Sequence, residues 1–224
     1  DDDFLFRIHK SLANFVIQRE KLLNFFHPEF DRSVKMMMGK SGMRDHHQRL
    51  ATYFQAKGYT YERSLAEVAY QLQWGEQYES LLSLFGDLHF WETKCQAGML
   101  PELRSDVDFA LTAVAVPLPP SLAVKVGPDA YISKNILSLL LRILDYEFHF
   151  LSRHPECLFQ SFWNRGFWHD SPTASVFYTA IENETPWEEG DDKLSDLVEH
   201  WRRYKDTEGE HAWLQTSRPL PERL

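Results

Sequence analysis

The sequence predicts a mainly α fold, stacked antiparallel helices in a helical-repeat-like array behind a small N-terminal lobe, and three observations carry that expectation. Between His46 and Asp106, apolar residues recur at helical spacing: Leu50, Tyr53 and Phe54; then Leu65, Val68, Ala69 and Leu72; then Tyr78, Leu81, Leu82 and Phe85. Positions i, i+3, i+4 and i+7 line one helix face, and each dry face needs a neighbour to cover it. The breaks at Gly58, Trp74-Gly75 and Gly86-Asp87 are so short that successive helices must fold back on one another. Further on, Ile132, Ile136, Leu139, Leu140 and Ile143 form one stripe and Leu137, Leu141, Leu144 and Phe148 a second. Two stripes imply two neighbours.

In chain order, Asp1 to Ile17 reads as a first helix, with three aspartates at the positive end of its dipole and Phe4, Leu5, Ile8, Leu12, Phe15 and Val16 on one face. Lys21 to Phe26 is short, β-compatible and stopped by His27-Pro28, where proline opens the next helix. Helix, extended piece and helix resemble the last part of a winged-helix domain, with Phe26 to Phe30 and Val34 at its strand-to-helix corner; a plain helical hairpin with an irregular loop is the alternative. Met36-Met37-Met38 reads as the end of a core helix before Gly39 and Gly42, with a soft binding face of adaptable thioethers as the alternative. His46 and His47 point about 100° apart on a helix and have no ligand set at zinc spacing around them.

Phe90 to Cys95 continues helical until Gly98, and Leu103 to Val114 gives another helix. Pro117, Pro119, Pro120, Gly127 and Pro128 then exclude both a regular helix and a central strand, which marks an internal boundary. The longest helix is expected from Asp129 to Ser152, a new one at Pro155, and a last amphipathic one over Leu194, Leu197, Val198 and Trp201. The acidic run Glu182 to Asp192 reads as a solvated loop and helix start, without the regular alternation of acids and the glycine at the sixth position of a calcium loop. The expected organisation is therefore a lobe over 1–42, a first array over 43–116, a proline-rich linker over 117–128, a second array over 129–206 and an extended tail over 207–224.

With 224 residues and 43% hydrophobic content, the chain can bury a substantial core. Its 33 acidic against 24 basic residues, net charge -9, repel phosphate backbones and argue against nucleic acid as the main partner. A recognition helix over Pro28 to Met38 would have only Arg32, Lys35 and Lys40 as basic residues nearby. The start at Asp1 lacks the basic residues of a signal peptide. The longest apolar run, Ile136 to Leu144, falls short of the ~20 residues of a membrane span. Cys95 and Cys157 lie far apart in apolar helices. The expectation is a cytoplasmic protein with buried thiols, bound to no membrane.

The run HHQRLATYF, followed by RSLAEVAYQLQWGEQYESLLSLFGDLHFWETKCQAGMLPELRSD, resembles the helical arm of STAND and NACHT-type signalling ATPases, the group that contains apoptotic protease-activating factor. The similarity continues through LSRHPECLFQSFWNRGFWHD to TSRPLPERL. In that family the arm joins a winged-helix domain to a WD-repeat β-propeller, so the resemblance implies a scaffold in defence or cell-death signalling, with adjoining ATPase and propeller domains if this is a fragment. No G-x-x-x-x-G-K-[ST] phosphate loop occurs in these residues.

No catalytic constellation, cofactor motif or metal-ligand spacing is recognisable: G-x-S-x-G, H-E-x-x-H and a glycine-rich dinucleotide turn are all missing. A Cys157 and His154 pair would share a helix face but lacks a third, orienting group. What stands out is aromatic. Phe162, Trp163, Phe167, Trp168, Phe177 and Tyr178 fall within seventeen residues. They read either as the anchors of a protein-binding surface or as rings capping the open end of the stack. Two functions follow, a non-enzymatic scaffold arm or a free-standing adaptor, inhibitor or proteolytic target in such a pathway; an enzyme is a weaker third.

Overall fold

The computed structural model describes residues 16–19, 22–25, 28–178, 192–209 and 212–220. Contacts divide the chain into Asp1–His46 and His47–Leu224. In the first unit, β1 (Val16–Arg19) and β2 (Leu22–Phe25) pair antiparallel, with Val16 opposite Phe25 and Arg19 opposite Leu22. Val16 and Ile17, expected at the end of a helix, are β-branched and sit in a strand instead. The rest of that expected helix, Asp1 to Phe15, lies outside the described residues. Helix α1 (Pro28–Lys57) follows and breaks at Gly39, whose φ of 65° and ψ of 176° only glycine adopts readily. Met36 and Met37, expected in a core, are 78% and 81% exposed, so that helix end has no dry face of methionines.

In the second unit, α1 runs on to Lys57 and leads into α2 (Glu62–Trp74), α3 (Tyr78–Gly86), α4 (Leu88–Gln96) and α5 (Leu100–Thr112). The turns fall at the expected breaks. Gly58 takes a φ of +69°, and the Asp87 carboxylate accepts the His89 N–H at 2.9 Å to cap α4. Leu65, Val68, Ala69, Leu72, Leu81, Leu82 and Phe85 are all buried, each large aliphatic contributing roughly 1.5–3 kcal/mol of transfer free energy. Over the last turns of α1, Ala51 and Phe54 are buried while Leu50 and Tyr53 are exposed, so the buried stripe there is narrower than its apolar content suggests.

The proline-rich stretch is not a gap between two arrays. Leu118 is buried in the same core as Leu103 and Ile136. Strands β3 (Ala123–Lys125) and β4 (Tyr131–Ser133) form an antiparallel ribbon with Val124 opposite Ile132. The prolines exclude a central strand, but a two-stranded ribbon has only edges, and Pro128 falls in its turn. The ribbon lies over the end of α3 so closely that a Cβ on Gly86 would stand 2.6 Å from Val126 Cγ1. Because β4 takes Tyr131 to Ser133, the long helix α6 begins at Lys134 rather than Asp129 and ends at Leu151, with Ser133 Oγ accepting the Ile136 N–H at 3.3 Å.

A 3-10 turn (Pro155–Cys157) opens α7 (Leu158–Asp170), a second 3-10 turn (Pro172–Val176) follows, and α8 (Leu194–Glu208) pairs with α7. The expected acid cap of α8 over Glu182 to Asp192 falls mostly outside the described residues. The buried Asp170 at the end of α7 accepts the Leu194 and Ser195 N–H groups at 2.7 and 2.8 Å. Three rings tie the stack at its centre. Trp91 lies 5.3 Å from Phe162 and 6.4 Å from Trp201, while the Trp201 indole donates to Gly86 O at 2.8 Å.

Candidate functional site

The aromatic residues singled out in the sequence do not act alike. Phe162 is wholly buried between Trp91 and Trp201. Trp163 is 1% and Trp168 7% exposed, so neither offers its ring to another molecule while the chain is closed. Phe167 is half-buried and stacks on Trp163 with ring centres 4.6 Å apart. Tyr178 is also half-buried, and Phe177, 49% exposed, meets Trp168 edge-on at 5.4 Å. Phe162, Trp163 and Trp168 thus serve the core and the underside of a groove.

That groove runs along α7 and is filled by the chain's own residues 212–216, which belong to no helix or strand. Gln160 and Asn164 stand four residues apart, one above the other on the same helix face, about 6 Å apart along the axis. Two residues of extended chain cover nearly the same length. The spacing is used directly. Gln160 Oε1 accepts the Leu214 N–H at 2.8 Å, and Asn164 accepts the Thr216 N–H through Oδ1 and donates through Nδ2 to Leu214 O, both at 2.8 Å. One side-chain amide thereby pairs with residues i and i+2 as a neighbouring strand would.

Side-chain contacts close both ends. Trp213 meets Phe159 and Trp163 edge-on, each at 5.0 Å. The Trp168 indole donates to Thr216 Oγ1 at 2.9 Å, and that hydroxyl lies 3.2 Å from Asn164 Oδ1. Leu214, between them, is 77% exposed. Beside the tail is a cleft of about 480 Å³ lined by Trp163, Phe167, Glu199, Arg202, Asp206, Trp213 and Gln215. Its charged wall is a chain of ion pairs, Arg202 to Glu199 at 2.6 Å and Arg202 to Asp206 at 2.5 Å. Burial pushes the Glu199 carboxyl up, but the Arg202 guanidinium and the Trp163 N–H hold it below the ordinary range.

No family model, curated protein or solved structure matches the chain. A second cleft, about 370 Å³, is lined by Phe54, Tyr59, Ser64, Ser83 and Asp87 among others, and there the Tyr59 hydroxyl donates to Asp87 Oδ2 at 2.7 Å. Burial and the adjoining carboxylate raise the Tyr59 pKa strongly, which keeps the phenol a donor. Burial also raises both thiols, Cys95 to about 11 and Cys157 in the same direction, away from the thiolate form. His47 Nδ1 lies 2.7 Å from Gln71 Oε1, and among the described residues no three His, Cys, Asp or Glu side chains could hold a metal ion. No described helix is long and apolar enough to cross a membrane.

Sequence reasoning missed Gln160, Asn164, Trp213 and Thr216. The signal was present in part. Two amides at i, i+4 flank Trp163 on an aromatic helix, and a second Trp and a Thr occur in a proline-bearing tail. Nothing in the spacing says that the two stretches meet.

Proposed function

We propose that this chain is a non-enzymatic protein-interaction module, a rigid helical scaffold that holds an extended polypeptide segment along α7. The pairing of Gln160 and Asn164 with the backbone of Leu214 and Thr216 carries this reading. A side-chain amide that exchanges two hydrogen bonds with residues i and i+2 recognises polypeptide as such. The buried titratable groups support it too, because Lys94 with Asp106 and Glu92 with Lys205 are paired to one another within the stack.

The resemblance to the helical arm of STAND and NACHT-type regulators fits this reading. On it, residues 1–42 correspond to part of a winged helix, the chain works in the cytoplasm, and its partners are proteins, among them adjoining ATPase and propeller domains. The net charge of -9 weighs against a nucleic-acid role.

The test is affinity purification of the tagged full chain from its native host beside a Gln160→Ala/Asn164→Ala double variant. The expected result is a protein recovered in near-stoichiometric amount with the parent and lost with the variant. Equal recovery by both forms would remove the groove from the interaction, and turnover of a small-molecule substrate by the pure chain would replace the function class.

A further inference from the structure

We propose that the α7 groove is a receptor for an extended segment of another polypeptide, one that offers an indole and, three residues further on, a hydroxyl, and that residues 213–216 are its built-in competitor. This rests on the interaction-module reading above and adds what the groove takes and what keeps it closed.

The occupant's chemistry is set by what is read and what is ignored. The rings of Phe159 and Trp163 receive Trp213 edge-on, an arrangement that a large flat side chain satisfies best. At the other end, Thr216 Oγ1 accepts from Trp168 and lies within hydrogen-bonding distance of Asn164 Oδ1, so the position calls for a group that both accepts and donates. Serine and threonine do so. Between the two, Leu214 contributes its backbone while most of its side chain stands in solvent. Gln215 lines the cleft beside Glu199, Arg202 and Asp206, which favours a polar side chain there.

The segment now in place is held only at its backbone and its two end side chains. Five hydrogen bonds and the partial cover of one indole oppose the conformational entropy lost in ordering residues 213–216. The surplus is small, a preference for the closed tail of about tenfold, or about 1.4 kcal/mol. Segments of this kind open without global unfolding. Covalent attachment nevertheless gives the tail an effective concentration on the order of millimolar, which a free ligand must outcompete. The unaltered chain is therefore closed to weak ligands, and weakening the tail opens it.

The experiment is a titration of a fluorescently labelled peptide, Ala212–Leu220, into the full chain, read by anisotropy. Three proteins are compared: the parent, Trp213→Ala, and Leu214→Pro, which removes the N–H that Gln160 accepts at a solvent-exposed position. Both variants are expected to bind at least tenfold more tightly than the parent. Asn164→Ala added to either is expected to abolish binding, as is replacement of the tryptophan by alanine in the peptide. Absence of saturable binding to a variant that still melts cooperatively, equal affinity for parent and variants, or binding indifferent to Asn164 would each overturn the proposal. So would a parent chain that is dimeric through exchanged tails, which assigns the groove to a second copy. If Gln160 and Asn164 govern recovery of a cellular partner but the peptide does not bind, this proposal falls and the interaction reading stands.

Discussion

At the scale of single residues, Lys94 is the most exacting position. Its ammonium has no solvent exposure and donates to Leu65 O at 2.6 Å and to Asp106 Oδ2 at 2.5 Å. An ion pair of this kind stabilises little on balance, but removal of one partner leaves the other charge stranded. Asp106→Asn is therefore expected to cost about 3–5 kcal/mol and Lys94→Met less than about 2 kcal/mol, because Asp106, at the edge of the site, can rehydrate or take a proton. Urea titrations of the two variants decide the order, and a reversed order would contradict it. Burial raises the Asp106 pKa to about 6 against the opposing pull of Lys94. Protonation of Asp106 would leave Lys94 as unpaired as the amide does, so the two variants are to be compared above pH 6, where the pair is charged.

At the scale of elements, α6 is the spine of the second half. Ile136, Leu140, Ile143 and Leu144 are completely buried, with α5 on one side and α7 on the other. Leu140→Asp would place an unpaired carboxylate where no water reaches, a loss expected to exceed about 4 kcal/mol. A soluble Leu140→Asp variant with a cooperative melt near that of the parent would show that α6 does not sit between two neighbours. The elements easiest to read in the sequence were those whose pattern and borders agree. The stripes of α2, α3 and α6 and the breaks at Gly58, Gly75 and Gly86 are local signals. The β3–β4 ribbon was illegible because three residues a side carry no period, and its place is set by the helices it packs on, with Val126 over Gly86 and Gly127 against His200. The shifted face of α1 has the same cause, since Ala51 is small enough to be pressed into the core and Tyr53 is not needed there.

At the scale of the molecule, one core runs from Ala51 to Trp201 across the proline-rich stretch. Residues 47–224 are therefore expected to unfold in a single calorimetric transition, with the aromatic junction of Trp91, Phe162 and Trp201 lost in the same step. Two separate transitions for the segments before and after Pro117 to Pro128 would contradict a shared core. Prolines report on the backbone, not on whether flanking helices touch. The groove was hidden for a related reason. Gln160 and Asn164 mark a face of α7, but their partners lie about fifty residues onward in a stretch without periodicity, and only the folded chain brings them together.

Amide hydrogen exchange at Leu214 and Thr216 tests the central claim most directly, because these two N–H groups are what the amides of α7 hold. In the parent chain both should exchange at least tenfold more slowly than neighbouring tail amides, and Gln160→Ala/Asn164→Ala should abolish that protection while leaving exchange in α6 unchanged. Fast exchange at both positions in the parent, or protection that survives the double variant, would mean that α7 does not hold the segment.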